Sequence, residues 1–84
     1  MPVISRFYGI VIKMYFRQAE HNPPHFHVIY GEYLAEIDIR TGEMLVGDLP
    51  RRALKMVEEW TSQNRDALLK IWETQNFVEL PPLE

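Results

Sequence analysis

The stretch HFHVIYGEYLAEID, residues 25–38, decides the fold of this chain. Residues 25–30 and residues 33–39 read as two strands, and Gly31-Glu32 lies between them as a two-residue turn. A glycine in the first central position of such a turn is typical of the type II′ hairpin. Because the turn fixes which residues face each other across the two strands, the stretch also predicts a pairing register.

The predicted register separates an apolar face of the hairpin from a polar one. Three pairs share the apolar face: Tyr30 with Tyr33, Val28 with Ala35, and Phe26 with Ile37. The other face carries Ile29 with Leu34, His27 with Glu36, and His25 with Asp38. Residues directly opposite each other in a ladder have β-carbons about 4.5–5.5 Å apart, so we expect each histidine to interact with a carboxylate.

The segments around the hairpin predict an α+β fold. Residues 8–16 alternate as a strand does, and residues 44–46 predict a short further strand after a turn at Thr41-Gly42. From Asp48, a residue that favours helix N-termini, the apolar spacing becomes helical. The expected fold is an antiparallel meander of three or four strands, with one face covered by one or two C-terminal helices.

The helical half can be divided in two ways. Thr61 and Asn64 place polar residues in the apolar stripe, so we favour two helices or a marked bend, with Asn64 as the cap of the second helix. One helix from Pro50 to about Thr74 also fits, because polar residues weaken the stripe without breaking it.

The 84 residues predict a single domain, with a strand half at 1–47, a helical half at 48–76 and an apolar tail at 77–84. We expect the tail either to pack back on the body or to serve as a contact surface. The chain has no cysteine, which excludes disulfides and thiolate metal sites. We find no secretory signal and no apolar run of about 18 residues, so we expect a cytoplasmic protein without membrane contact. The net charge of −3 argues against sequence-independent binding to nucleic acid.

The polar face of the hairpin carries the groups of an acid–base catalyst. A carboxylate opposite a histidine stabilises the imidazolium and is expected to raise the pKa of that histidine above about 6.5. His25 and His27 would act as acid and base, oriented by Glu36 and Asp38. The residues expected on the phosphate side are Lys13, Tyr15, Arg40, Arg51 and Arg52. Together these groups suit cleavage of RNA without a metal or another cofactor.

Three other interpretations fit the same residues. A His-x-His pair on a strand points both imidazoles to one face, which suits zinc, so His21, His25 and His27 form a candidate metal site with Glu36 or Asp38. The chain can also be a non-enzymatic interaction module that binds a partner protein through its polar face and its tail. Finally, histidine–carboxylate pairs are ordinary stabilisers of a solvated sheet face.

Three stretches resemble the small prokaryotic family called domain of unknown function 4160. They are PVISRFYGI at residues 2–10, HNPPHFHV at residues 21–28, and the stretch from Gly42 to Ala53 that contains LPRRA. The resemblance implies a toxin-like component of a type II toxin–antitoxin pair, with a small antitoxin-like protein of the domain of unknown function 2442 type as its partner. It implies no set of catalytic residues, and RNA is the target that the polar face would suit. An exposed edge strand in so small a sheet would also allow a homodimer.

Overall fold

Five antiparallel strands and one following helix make up the part of the chain that the computed structural model describes, residues 3–15 and 23–84. The strands are β1 (Val3–Phe7), β2 (Ile10–Lys13), β3 (His25–Tyr30), β4 (Tyr33–Asp38) and β5 (Met44–Gly47). They are neighbours in chain order, so the sheet is a simple meander. The helix α1 spans Arg51–Thr74, which confirms the α+β class.

The strand predicted at residues 8–16 is wrong in its start, because Tyr8 and Gly9 form a turn between β1 and β2. Both residues have positive φ, +49° and +81°, as the two central residues of a type I′ turn do. The strand β1 was not predicted because it lacks the alternation of buried and exposed residues. A bulge between Val3 and Ser5 places both Ile4 and Ser5 in the interior. The sheet therefore has five strands rather than three or four. The end of the predicted strand at residue 16 lies outside the described residues.

The central hairpin has the register that its turn predicts. Six pairs join β3 to β4: His25–Asp38, Phe26–Ile37, His27–Glu36, Val28–Ala35, Ile29–Leu34 and Tyr30–Tyr33. Gly31 has φ +59° and Glu32 has no positive φ, in agreement with the type II′ turn. The β2 strand continues the same faces, because Lys13 pairs with His27 and Val11 pairs with Ile29.

The helical half is one uninterrupted helix, as in the single-helix alternative that ends at about Thr74, and the favoured division into two helices is wrong. The hydroxyl of Thr61 donates a hydrogen bond to the Val57 carbonyl at 2.7 Å, and the Asn64 amide donates to the Trp60 carbonyl at 2.9 Å. Because the polar groups of these residues are satisfied on the preceding turn, they do not end the helix. The N-cap position is Pro50 rather than Asp48, and no side chain caps this end.

The inner sheet face packs against the helix and forms the core. Its fully buried residues include Ile10, Ile12, Phe26, Val28 and Ile37 from the sheet and Val57, Trp60 and Leu68 from the helix. The apolar tail packs back on this body: the Leu80 amide donates to the Ile4 carbonyl, the Trp60 indole donates to the Pro81 carbonyl, both at 2.8 Å, and Leu83 is buried. Among the described residues, the helix and the tail leave the outer sheet face uncovered, and Leu34 and Val46 on it are more than half exposed. No helix in the described part of the chain has the length and hydropathy needed to cross a membrane.

Candidate functional site

A cluster of His25, His27 and Glu36 lies on the open outer face of the sheet. The two histidines alternate on β3 and Glu36 lies opposite His27 on β4, so the period of the strands brings all three to one side. One nitrogen of each histidine and one carboxylate oxygen all lie within 4.8 Å of one another. All three side chains are half-buried, so the cluster remains accessible to a ligand.

The ring of His25 is held by its neighbours in one orientation. Its Nδ1 lies 3.0 Å from the Pro23 carbonyl oxygen, and because a carbonyl can only accept, Nδ1 carries the proton. The other nitrogen, Nε2, points to Glu36 and lies 3.6 Å from Oε1. Trp72 packs on the same ring with a centroid distance of 5.2 Å. In the neutral tautomer, therefore, the free lone pair of His25 faces the cluster.

His27 is in contact with a different aromatic residue. Its ring meets Tyr15 edge-on with centroids 4.3 Å apart, and it lies 5.3 Å from the His25 ring. Burial lowers the pKa of His27 below 6.5; Glu36 opposes this shift and His25 adds to it. The expectation of a raised pKa is thus wrong for His27, because loss of solvation outweighs attraction to the carboxylate. The lowered pKa favours the neutral form of the His27 ring.

Asp38 lies opposite His25 in the β3–β4 ladder, but its carboxylate makes hydrogen bonds to the turn that follows β4. Its Oδ1 accepts hydrogen bonds from the Arg40 amide at 2.7 Å and the Thr41 amide at 3.1 Å. Such local bonds are typical of aspartate before a turn. Among the described residues, the close histidine–carboxylate contact is therefore diagonal, from His25 Nε2 to Glu36 Oε1, rather than straight across to Asp38.

The residues expected on the phosphate side do not all gather at the cluster. Lys13 lies next to it in the register, opposite His27, and Tyr15 contacts the His27 ring. Arg40 is exposed in the turn after β4.

The remaining candidates lie elsewhere or outside the described residues. Arg51 and Arg52 are exposed in the first helical turn, and Arg52 lines a separate cleft with Tyr8 and Tyr30. His21 lies outside the described residues.

Two groups that support the cluster were not identified from the sequence. Trp72 has the spacing of a core residue, and its contact with His25 depends on the tertiary packing of the helix. The contact of His25 with the Pro23 carbonyl is local, because Pro23 is only two residues before His25 in the sequence. The next residue, Pro24, is fixed to the sheet, since its carbonyl accepts a hydrogen bond from the Ile39 amide at 2.9 Å.

A groove of about 280 Å³ runs over the outer face beside the cluster. His27, Glu36 and Tyr15 line its polar part, and Ile29, Leu34, Val46 and Gly47 line the apolar part. Leu34 is 64% exposed and Val46 is 58% exposed, so this apolar wall is open to solvent.

The fold and the cluster define a small α+β protein with a two-histidine, one-glutamate site on the open face of a five-stranded meander. The chain belongs to the family described as Domain of unknown function (DUF4160), whose family model matches residues 9–73. This match covers most of the chain and confirms the resemblance seen in the sequence. Comparison with curated proteins and comparison with solved structures each give no match.

Proposed function

We propose that the protein binds a divalent transition-metal ion through His25, His27 and Glu36, and that zinc suits this donor set best. The observation that carries the proposal is the convergence of three ligand atoms within 4.8 Å on neighbouring strands. Two imidazoles and one carboxylate are a donor set of catalytic zinc sites, in which water or substrate takes the fourth position.

The spacing of the ligand atoms is close to what such an ion needs. Ligands about 2.0–2.1 Å from a tetrahedral ion lie about 3.4 Å from one another. The distance from His25 Nε2 to Glu36 Oε1 is 3.6 Å, which already agrees with this value. The widest separation in the cluster, at most 4.8 Å, would have to close by about 1.4 Å, which side-chain rotation can supply.

The surroundings of both histidines favour ligation. Metal-bound histidines generally donate their second ring N–H to a carbonyl or carboxylate, as His25 does to Pro23. A ligand histidine must also be unprotonated, and burial lowers the pKa of His27, which favours that form. An ion with a free position would lower the pKa of a bound water, and Lys13 would face an anionic substrate beside it.

Zinc titration of the untagged, metal-stripped protein tests the proposal. We expect one ion per chain by calorimetry, and a melting temperature that rises with zinc and falls on addition of EDTA. Glu36→Gln should weaken zinc binding at least about tenfold. The matched control is Glu32→Gln, which removes the same charge from the exposed hairpin turn and should leave zinc affinity unchanged.

Two results would contradict the metal site. One is a wild-type protein that binds no zinc. The other is a folded His25→Ala, His27→Ala double variant that binds zinc as tightly as the wild type does.

A second candidate function is metal-independent cleavage of RNA by a toxin of a toxin–antitoxin pair. It is favoured by the two imidazoles with centroids 5.3 Å apart beside Lys13, since one could accept a proton while the other donates one. Induced expression should then arrest bacterial growth, and the folded His25→Ala, His27→Ala variant should not. RNA cleavage that persists in EDTA would favour this function, and cleavage that requires zinc would favour the metal site.

The partner implied by the family resemblance is a small protein of the domain of unknown function 2442 type. Co-expression with such a protein should relieve growth arrest and yield a complex that copurifies. If the wild-type chain does not arrest growth, the toxin hypothesis fails while the metal site keeps its own test.

A further inference from the structure

We infer that the metal site takes small ligands in which a metal-binding, anionic head is joined to an apolar chain, and that the outer-face groove holds this chain. The inference rests on the proposed metal site and names the class of ligand for it. It follows from what lies next to the cluster on the same face of the sheet.

Two rows of side chains cross the outer face side by side. The polar row consists of Lys13, His27 and Glu36. On β5 the residue paired with Glu36 is the apolar Val46. The apolar row runs Val11, Ile29 and Leu34. The rows are two residues apart along each strand, which is about 7 Å, so a molecule with its head on the cluster has its next few atoms over the apolar row.

The groove joins the two rows into one surface. His27 and Glu36, both proposed ligands, line the same groove as Ile29, Leu34 and Val46. Exposed apolar groups that border polar ones are typical of binding surfaces, and Leu34 and Val46 are both more than half exposed. Gly47 also lines the groove, and its φ of +94° and close approach to Leu34 leave no room for a side chain there.

Size and charge select the occupant. A volume of about 280 Å³ lies just below the range of about 300–1,000 Å³ that is usual for small-molecule sites, so the groove suits a small ligand. Lys13, in the row of the ligands, favours an anionic head, and each methylene that the apolar row buries should tighten binding about fourfold. These features suit a short amphiphile.

Hydroxamates of two chain lengths test the inference on the zinc-loaded protein. Acetohydroxamate and octanohydroxamate carry the same head, and calorimetry below the critical micelle concentration gives both affinities. We expect octanohydroxamate to bind at least about tenfold more tightly, since only part of its chain needs to be buried. The zinc content after the titration shows whether the head has bound the ion or removed it.

Two substitutions separate the groove from general surface hydrophobicity. Leu34→Ser should abolish the preference for the longer chain and leave acetohydroxamate binding unchanged. Leu45→Ser is the matched control, because Leu45 is also an exposed apolar residue but does not line the groove, and it should keep the preference.

The outcomes distinguish this inference from the proposed function. If the protein binds no zinc, the proposed metal site fails and this inference fails with it. If zinc and acetohydroxamate bind but chain length has no effect, only the inference is overturned. It is also overturned if sedimentation shows a dimer that Leu34→Ser dissociates, because the apolar row is then covered by a second copy.

Discussion

Replacing Gly47 with alanine should destabilise the protein strongly, although it adds only one methyl group. Gly47 ends β5 with φ +94°, a backbone conformation that L side chains rarely adopt. A β-carbon there would overlap the Leu34 carbonyl oxygen and lie 2.8 Å from the Ala35 α-carbon. Both atoms belong to the backbone of β4, so neither can rotate away and β5 itself must move.

The structure gives the approximate size of the effect. A non-glycine residue held in an unfavourable backbone conformation costs about 1–3 kcal/mol. Moving β5 also disturbs the 3.0 Å hydrogen bond from the Asp48 amide to the Leu34 carbonyl, which is worth about 1 kcal/mol. The total is about 2–4 kcal/mol, which lowers the melting temperature of a domain this small by roughly 10–30 °C.

Urea unfolding followed by circular dichroism measures the loss, and Gly31→Ala is the matched control. Gly31 also has a positive φ, +59°, but a β-carbon there would meet nothing within 4 Å. The control therefore has the backbone cost alone, about 1–3 kcal/mol, without any displacement of a neighbouring strand. If both variants lose the same free energy of unfolding, the close approach of β5 to β4 is refuted as the cause.

Two further predictions concern the tail and the half-buried His27. Trp60→Phe removes the indole donor to the Pro81 carbonyl and should lower the free energy of unfolding by about 1–3 kcal/mol, with faster hydrogen exchange at the tail amides; unchanged exchange there would contradict the role of this bond. In the metal-free protein, the free energy of unfolding should fall as the pH drops below about 6.5. Burial lowers the pKa of His27 in the folded state, while Glu36 opposes this shift and His25 adds to it. The unfolded chain therefore binds more protons than the folded chain at low pH, which favours unfolding. His27→Gln should reduce this slope in pH-dependent urea titrations, and an equal slope in both proteins would count against the shift.

The central hairpin could be predicted from the sequence because its information is local. A two-residue turn at Gly31-Glu32 fixes all six pairs between β3 and β4, and the period of two then places His25, His27 and Glu36 on one face. No tertiary knowledge was needed for that step.

Features that depend on competition between interactions could not be predicted in this way. The Asp38 carboxylate can interact either with His25 across the ladder or with backbone amides of the turn that follows it. In the structure its Oδ1 accepts hydrogen bonds from two turn amides, those of Arg40 and Thr41. The pKa of His27 depends on how much water the neighbouring side chains exclude, a quantity that pairing alone does not supply. The start of β1 was concealed by a bulge that places adjacent residues on the same side.

The hydrogen bond from the Leu80 amide to the Ile4 carbonyl holds the tail next to β1. The first described strand and the C-terminal tail are spatial neighbours, so a short flexible linker could join them without crossing the molecule. A circularly permuted chain, opened at the exposed turn around Thr41, would then keep the spatial order of the five described strands in the sheet. In such a chain β5 and α1 would come first, and the β3–β4 hairpin with its three clustered side chains would lie at the new C-terminal end.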